Sequence, residues 1–322
     1  MVRIRNRTFP LIHSLRASMS NQDQPDSSRH LQILYVNGLP RSGTTLLMGL
    51  LQCFDQIVVP GGYPYEARVA SYLAAIGRTI QSRSDDPWQF EKDNMICKLS
   101  GFPGYNIQIV EEWYADQLLA GLRTFLRLSL SRLAAKLAVA NGSPVQEYLF
   151  WAEKFPAIHE EQIRKIFGGF RMITIIRNPV DVAVSRICAN NARMKSSMWV
   201  ADSDHELTTA NPGLVLNEEV QRTLDLIMAH KKLDVHEPGS HLIVEYEDLI
   251  NSSSHVIGRI SEVLGVTCDK SRVDEVLSGL EANRRVHSSS DPASRLRLVQ
   301  AMKTAASEAT INALSSMGYC FK

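Results

Sequence analysis

Three features of the chain predict a doubly wound α/β fold with a parallel sheet. The run LQILYVNG, apolar and bounded by glycine, has the pattern of a buried strand, and TTLLMGLLQCF follows at once with a helical pattern. A second and more apolar run, FRMITIIRN, is likewise followed by a helix that opens with Pro179 in its first turn, where the missing N–H costs nothing. Finally, 322 residues with 44% hydrophobic and 21% charged content suit one α/β unit that buries a sizeable core and carries helical insertions. Strand, glycine turn and helix in immediate succession open such folds.

The remaining elements follow in chain order. The polar run Asn21 to His30 reads as a linker, so residues 1–30 are expected to be a disordered or leader arm and residues 31–322 a single α/β domain. The arm carries Arg3, Arg5, Arg7 and Arg16 before its first acid, Asp23, a pattern shared by transit peptides and by plain disordered leaders. From Asn106 to Ala140 leucines recur at helical spacing and predict two helices. VQEYLFW predicts a second strand and HLIVEYEDL a last one running into a short helix. The helix after FRMITIIRN is expected to end near Asn191. The polar stretch Ala192 to Gly213 then has the character of a lid or loop. One amphipathic helix is expected from Pro292 to Met317.

Charge and cysteine usage exclude several functions. A formal net charge of +1 gives no global attraction to nucleic acid or acidic membranes, so any anion site must be built locally. Five scattered cysteines without a CxxC pair argue against a disulfide framework and a zinc site, and fit reduced thiols in a cytoplasmic setting. No apolar run approaches the roughly 20 residues that cross a bilayer. The histidines carry no metal-ligand spacing, and no metal is expected.

The first chemical constellation is Gly38-Leu39-Pro40-Arg41-Ser42-Gly43-Thr44-Thr45. Backbone N–H groups of such a loop converge on an anion, the following helix adds the positive end of its dipole, and Thr44 and Thr45 add hydroxyls. The pattern is the P-loop-type GxxxxGK[ST] with one departure: Thr44 stands where the lysine that reaches the β- and γ-phosphates would be. ATP and GTP are therefore disfavoured, and the cation lies inside the loop as Arg41. The second constellation, ITIIRNPVDVAVS, places Arg177 at a strand's carboxyl end, where open α/β sheets bind ligands, and Ser185 two turns along the next helix. Together these two can clamp a second anion. The alternative is a surface bridge from Arg177 to Asp181, with Ser185 incidental.

LPRSGTTLL closely resembles the 5′-phosphosulfate loop of the sulfotransferases that use 3′-phosphoadenosine 5′-phosphosulfate (PAPS), and Arg177 through Ser185 resembles that family's 3′-phosphate motif. The resemblance runs from about Leu31 to the C-terminal Gly-Tyr and includes VEYEDL. It implies PAPS as co-substrate, used without a metal, with Arg41, Ser42, Gly43, Thr44, Thr45, Arg177 and Ser185 holding it.

The same resemblance suggests the catalytic residues. Small-molecule cytosolic members place a histidine after a lysine. The local counterpart here, Lys98-Leu99-Ser100, has serine at that place. The tyrosylprotein and bacterial branch uses a glutamate, and YPYEARVASYL offers Glu66 with Arg68 two residues on. Glu66 is thus the expected general base, against a surface glutamate paired with Arg68 or a base elsewhere such as His159. Lys154, in WAEKFP, resembles the family's K-x-P lysine, which together with Arg41 would stabilise the leaving oxygen. Arg284 and Arg285 are possible substitutes for a late basic segment that this chain lacks, and Tyr246 is either near the adenine or a core tyrosine. The alternatives are a P-loop small-molecule kinase, disfavoured by Thr44, and a nucleotide-binding protein without catalysis. The segments from Gly61 to Arg83 and from Ala192 to Gly213 would line the acceptor pocket. They leave open a small molecule, a sugar, a lipid or a protein tyrosine.

Overall fold

The computed structural model describes residues 31–62, 64–81, 117–140, 149–155, 160–195, 211–236, 239–269, 271–274, 276, 278 and 292–321. Five parallel strands form one sheet: β1 (Gln32–Asn37), β2 (Ile57–Val58), β3 (Phe150–Lys154), β4 (Phe170–Ile176) and β5 (His241–Glu245), in the order β2-β3-β1-β4-β5. From β1 the chain crosses to the edge strand β2, returns through β3 beside β1 and then passes to β4 and β5 on the other side, so the switch lies where β1 meets β3 and β4. Val36 faces Lys154 across one side of that junction and Asn37 faces Thr174 across the other. Open sheets bind ligands outside the carboxyl ends of their strands at such a point.

Among the described residues the helices are α1 (Thr44–Leu51), α2 (Val69–Gln81), α3 (Leu119–Ala140), α4 (Glu160–Phe167), α5 (Pro179–Lys195), α6 (Pro212–His236), α7 (Tyr246–Asn251), α8 (Ser253–Leu264), α9 (Pro292–Ala305) and α10 (Glu308–Ser316). Alternate residues of β1 serve opposite faces. Leu34 and Val36 pack with α1, α7 and α8, whereas Ile33 and Tyr35 pack with α2, α3 and α4. Both faces are covered, which is why the strands read as continuous apolar runs. A third cluster joins Val180, Val184 and Ile187 of α5 to Val215 and Val220 of α6, Val299 and Met302 of α9 and Leu314 of α10.

The parallel, helix-flanked sheet expected from the sequence is therefore present, with several boundaries moved. The helix expected to stop near Asn191 runs to Lys195. The expected loop from Ala192 to Gly213 is helical at both ends, in α5 and from Pro212 in α6, and its centre lies outside the described residues. The tail expected as one helix is two: the chain breaks before Ser307, whose Oγ accepts from the Thr310 N–H at 3.2 Å and caps α10. Of the two helices expected between Asn106 and Ala140, α3 is one continuous helix of 22 residues, and the first part of that stretch lies outside the described residues. The N-terminal arm also lies outside them. Among the described residues no helix is long and apolar enough to cross a membrane, and no group of three or more His, Cys, Asp or Glu could hold a metal ion.

Candidate functional site

The glycine loop closes over the carboxyl end of β1. The Asn37 side chain accepts from the Gly38 N–H at 2.9 Å, and the Ser42 N–H turns back to the Leu39 carbonyl at 3.0 Å. Two residues adopt left-handed backbone geometry, Arg41 at φ 72° and Gly43 at φ 105°. At Gly43 a side chain is excluded by more than conformation, since a Cβ there would meet the Tyr246 ring at 2.5 Å. The first bond of α1 runs from the Leu47 N–H to the Gly43 carbonyl at 3.0 Å. No side chain caps α1 and no acid lies in its first turn. The first-turn N–H groups and the positive end of the dipole are thus left for a ligand. Ser42 is 2% exposed, and its Oγ has no hydrogen-bond partner.

Two side-chain clusters flank this helix mouth. On the β4 side, Arg177 Nη1 donates to the Arg41 carbonyl at 3.1 Å, and Arg41 Nε donates to Ser185 Oγ at 3.0 Å. The left-handed turn at Arg41 aims its carbonyl at Arg177 while its side chain reaches α5. The Arg177 guanidinium carbon lies 4.3 Å from the centre of the Tyr246 ring. Asp181, the alternative partner for Arg177, pairs with Arg295 of α9 at 2.5 Å.

On the β3 side, Lys154 Nζ donates to Thr45 Oγ1 at 3.1 Å, to the Pro64 carbonyl at 2.7 Å and to Glu66 Oε1 at 2.5 Å. Arg68 stands 3.5 Å from the other oxygen of Glu66. The Lys154 side chain is 10% exposed and that of Glu66 53%, so the ammonium is fixed and the carboxylate open to an incoming molecule. Thr45, in the first turn of α1, ties this cluster to the loop.

Arg41, Ser42, Gly43, Thr44, Thr45, Lys154, Glu66, Arg177 and Ser185 thus lie around one helix mouth, although they come from five separate stretches of sequence. Tyr246 lies in the core, at 9% exposure, between Gly43 and Arg177. Glu153, which no sequence pattern singled out, is fully buried beside Lys154. Arg284, Arg285, His159 and the segment Lys98 to Ser100 lie outside the described residues.

Solved structures with similar folds include the sulfotransferase domain of the Synechococcus PCC 7002 olefin synthase, at 16% identity over 93% of this chain and 99% of that one, with a TM-score of 0.43. A sulfotransferase from Mycobacterium avium matches at 16% identity over 96% of this chain and 81% of that one, with a TM-score of 0.40. A retinol dehydratase in complex with androsterone and the inactive cofactor PAP matches at 16% identity over 77% and 64%, with a TM-score of 0.33. No curated protein matches the sequence. The Sulfotransferase family model matches residues 34–270, a span that runs from β1 past α8 and takes in the glycine loop, Glu66, Lys154, Arg177 and Ser185. That span is well over half of the chain, and the protein belongs to the sulfotransferase family.

Proposed function

We propose that the protein transfers a sulfuryl group from PAPS to a hydroxyl or amine acceptor by in-line displacement, with Glu66 as general base. The observation that carries this reading is the pair of cationic clusters flanking one uncapped helix mouth, Lys154–Thr45–Glu66 on one side and Arg177–Arg41–Ser185 on the other. The donor set fits a bisphosphorylated nucleoside. The buried Ser42 hydroxyl lacks a partner, the α1 donors are uncapped, and the cradle at Gly43 leaves no space for a side chain.

In this reading Ser42, Gly43, Thr44 and Thr45 hold the 5′-phosphosulfate end, Arg177 and Ser185 hold the 3′-phosphate, and Arg41 serves both. When bound, PAPS supplies an activated sulfuryl group whose transfer leaves 3′,5′-adenosine bisphosphate. Glu66 accepts the acceptor's proton, exchanging its bond to Lys154 for one to the incoming hydroxyl. Lys154, held by Thr45 and Pro64, keeps a positive charge where the leaving oxygen gains a negative one, and Arg41 adds a second. Arg68 keeps the Glu66 carboxylate oriented once its bond to Lys154 is given up.

Calorimetric titration tests the donor assignment. 3′,5′-Adenosine bisphosphate should bind more tightly than 5′-AMP or ATP, and Arg177→Ala should weaken it by about 1.5–3 kcal/mol, as for a hydrogen bond to a charged group. Equal affinity for 5′-AMP and the bisphosphate would rule out the second clamp. Sulfate transfer from radiolabelled PAPS to a panel of phenols, sugars and amines tests the chemistry. Glu66→Gln should lower turnover about 10²- to 10⁴-fold while sparing bisphosphate affinity.

A further inference from the structure

Consecutive residues of a strand point to opposite faces of the sheet, and β3 uses this to grip one short segment twice. Lys154 points toward α1 and holds the near end of residues 64–71 through the Pro64 carbonyl and Glu66. Glu153 points the other way, toward α2, and holds the far end. Its Oε2 accepts from the Ala70 N–H at 2.9 Å and from Trp151 Nε1 at 3.0 Å. Its Oε1 accepts from the Ser71 N–H at 2.9 Å and from the Ser71 hydroxyl. Ala70 and Ser71 are the second and third residues of α2, so a carboxylate from a distant strand caps this helix.

All four partners are donors, the set an ionised carboxylate accepts. Burial pushes the Glu153 carboxyl above the usual glutamate range, and the four donors pull part of the way back. Within the near grip, between Pro64 and Glu66, lies Tyr65, a non-glycine residue at φ 61° whose ring is buried and whose hydroxyl donates to Gln52 at 3.3 Å. A segment held in that geometry persists only where its surroundings over-determine it. Glu66 follows immediately.

We infer that Glu153 is a positioning residue for Glu66: by fixing the start of α2 it sets where the Glu66 carboxylate stands relative to Lys154. The inference rests on the reading of Glu66 as base. It goes beyond that reading in assigning a second, fully buried carboxylate to the same step. Glu153 touches neither donor nor acceptor. A plain helix cap would contribute stability and nothing else, so the two roles separate by experiment.

The test compares Glu153→Gln, Glu66→Gln and the double variant in the full chain, with PAPS as donor and 2-naphthol as acceptor probe. Glu153→Gln is expected to lower kcat about 10- to 100-fold, with the donor KM and the bisphosphate Kd unchanged within about twofold, since a base displaced by about 1 Å loses rate of that order. In the Glu66→Gln background the same change should cost nothing further, because both act through one group. A full additional loss in the double variant, or an unaltered kcat in Glu153→Gln, overturns the inference while leaving Glu66 as base. An unaltered kcat in Glu66→Gln instead removes the reading beneath it. Amide hydrogen exchange gives a readout independent of turnover. Exchange at residues 64–71 should quicken in Glu153→Gln while that at 44–51 stays unchanged, and unchanged exchange at 64–71 also overturns the inference. Should Glu153→Gln fail to fold, Ser71→Ala removes one of the four donors and keeps the carboxylate. It should lower kcat about 3- to 10-fold in the wild-type background and not in Glu66→Gln, and the absence of that loss would count against Glu153 equally.

Discussion

The Arg177 guanidinium packs over the ring of Tyr246, its carbon 4.3 Å from the ring centre, and the same ring closes against Gly43 of the phosphate loop. One aromatic side chain therefore supports both anion pockets. A guanidinium stacked this way keeps its N–H edge available while its face is desolvated on an apolar surface. Tyr246→Phe retains the ring and should leave affinity for 3′,5′-adenosine bisphosphate within about twofold. Tyr246→Leu removes the π-face and should weaken binding about 2- to 30-fold, the range of a cation–π contact of about 0.5–2 kcal/mol. Calorimetry on the two variants checks this, and equal affinities would show that the ring only fills space.

Gly43→Ala probes the same junction from the loop side. At φ 105° a side chain is strained, and its Cβ would meet Tyr246 Cδ2 at 2.5 Å and Ile175 Cδ1 at 3.2 Å. The ring must move, and the Arg177 that rests on it moves as well. Urea unfolding should register a loss of about 1–3 kcal/mol from the backbone conformation. Bisphosphate affinity should fall together with stability, whereas 5′-AMP, which lacks the 3′-phosphate, should lose less.

Much of this arrangement was legible in the sequence because local pattern and local role coincide there. The strand, loop and helix from Leu31 to Leu51 are contiguous, and so are β4, Arg177 and the start of α5. Glu66 and Lys154 were legible only through family resemblance, since nothing in their own neighbourhoods says that they meet at 2.5 Å. What escaped is what depends on distant partners. Helix α6 shows no clean apolar stripe because its inner face includes Glu219, Thr223 and His230 beside Val215, Leu216 and Val220. Glu219 is 1% exposed and is matched by Arg186 of α5, at 2.6 Å, and by Arg222, at 3.2 Å, a pairing that no local period reveals. Glu153 was hidden for the same reason. In the sequence it is one charged residue at the end of a strand, and only the fold supplies its four donors from α2 and Trp151.

Ser42→Ala should separate stability from binding. The hydroxyl is buried at 2% exposure without a hydrogen-bond partner, and a buried polar group left unmatched costs about 1–3 kcal/mol. Its removal should therefore leave the free protein unchanged or more resistant to urea. If the hydroxyl serves the 5′-phosphate end of the donor, the same variant should bind 3′,5′-adenosine bisphosphate about 10- to 150-fold more weakly, the equivalent of about 1.5–3 kcal/mol for a hydrogen bond to a charged group. Opposite signs in the two measurements support a ligand-directed hydroxyl. Losses in both would mean that it braces the loop.

Glu245 makes the stability of the β5–α7 junction depend on pH. Glu245 is exposed at the end of β5, yet desolvation of its carboxyl is the main cause that pushes it above the usual glutamate range. The neighbouring Asp248 and Glu247 push the same way, and Arg259 opposes them. A carboxyl raised in the folded state holds its proton more tightly there than in the unfolded chain. Its favourable contribution is then complete below the unfolded pKa and is lost as pH rises through the folded value. Glu245→Gln mimics the protonated form at every pH. The variant should have a higher Tm than the parent near pH 7, and the gain should shrink to nothing near pH 4, where the parent carboxyl is itself protonated. Thermal unfolding of both proteins across that range checks the sign, and a gain that persists undiminished at acid pH would assign the effect to something other than this titration.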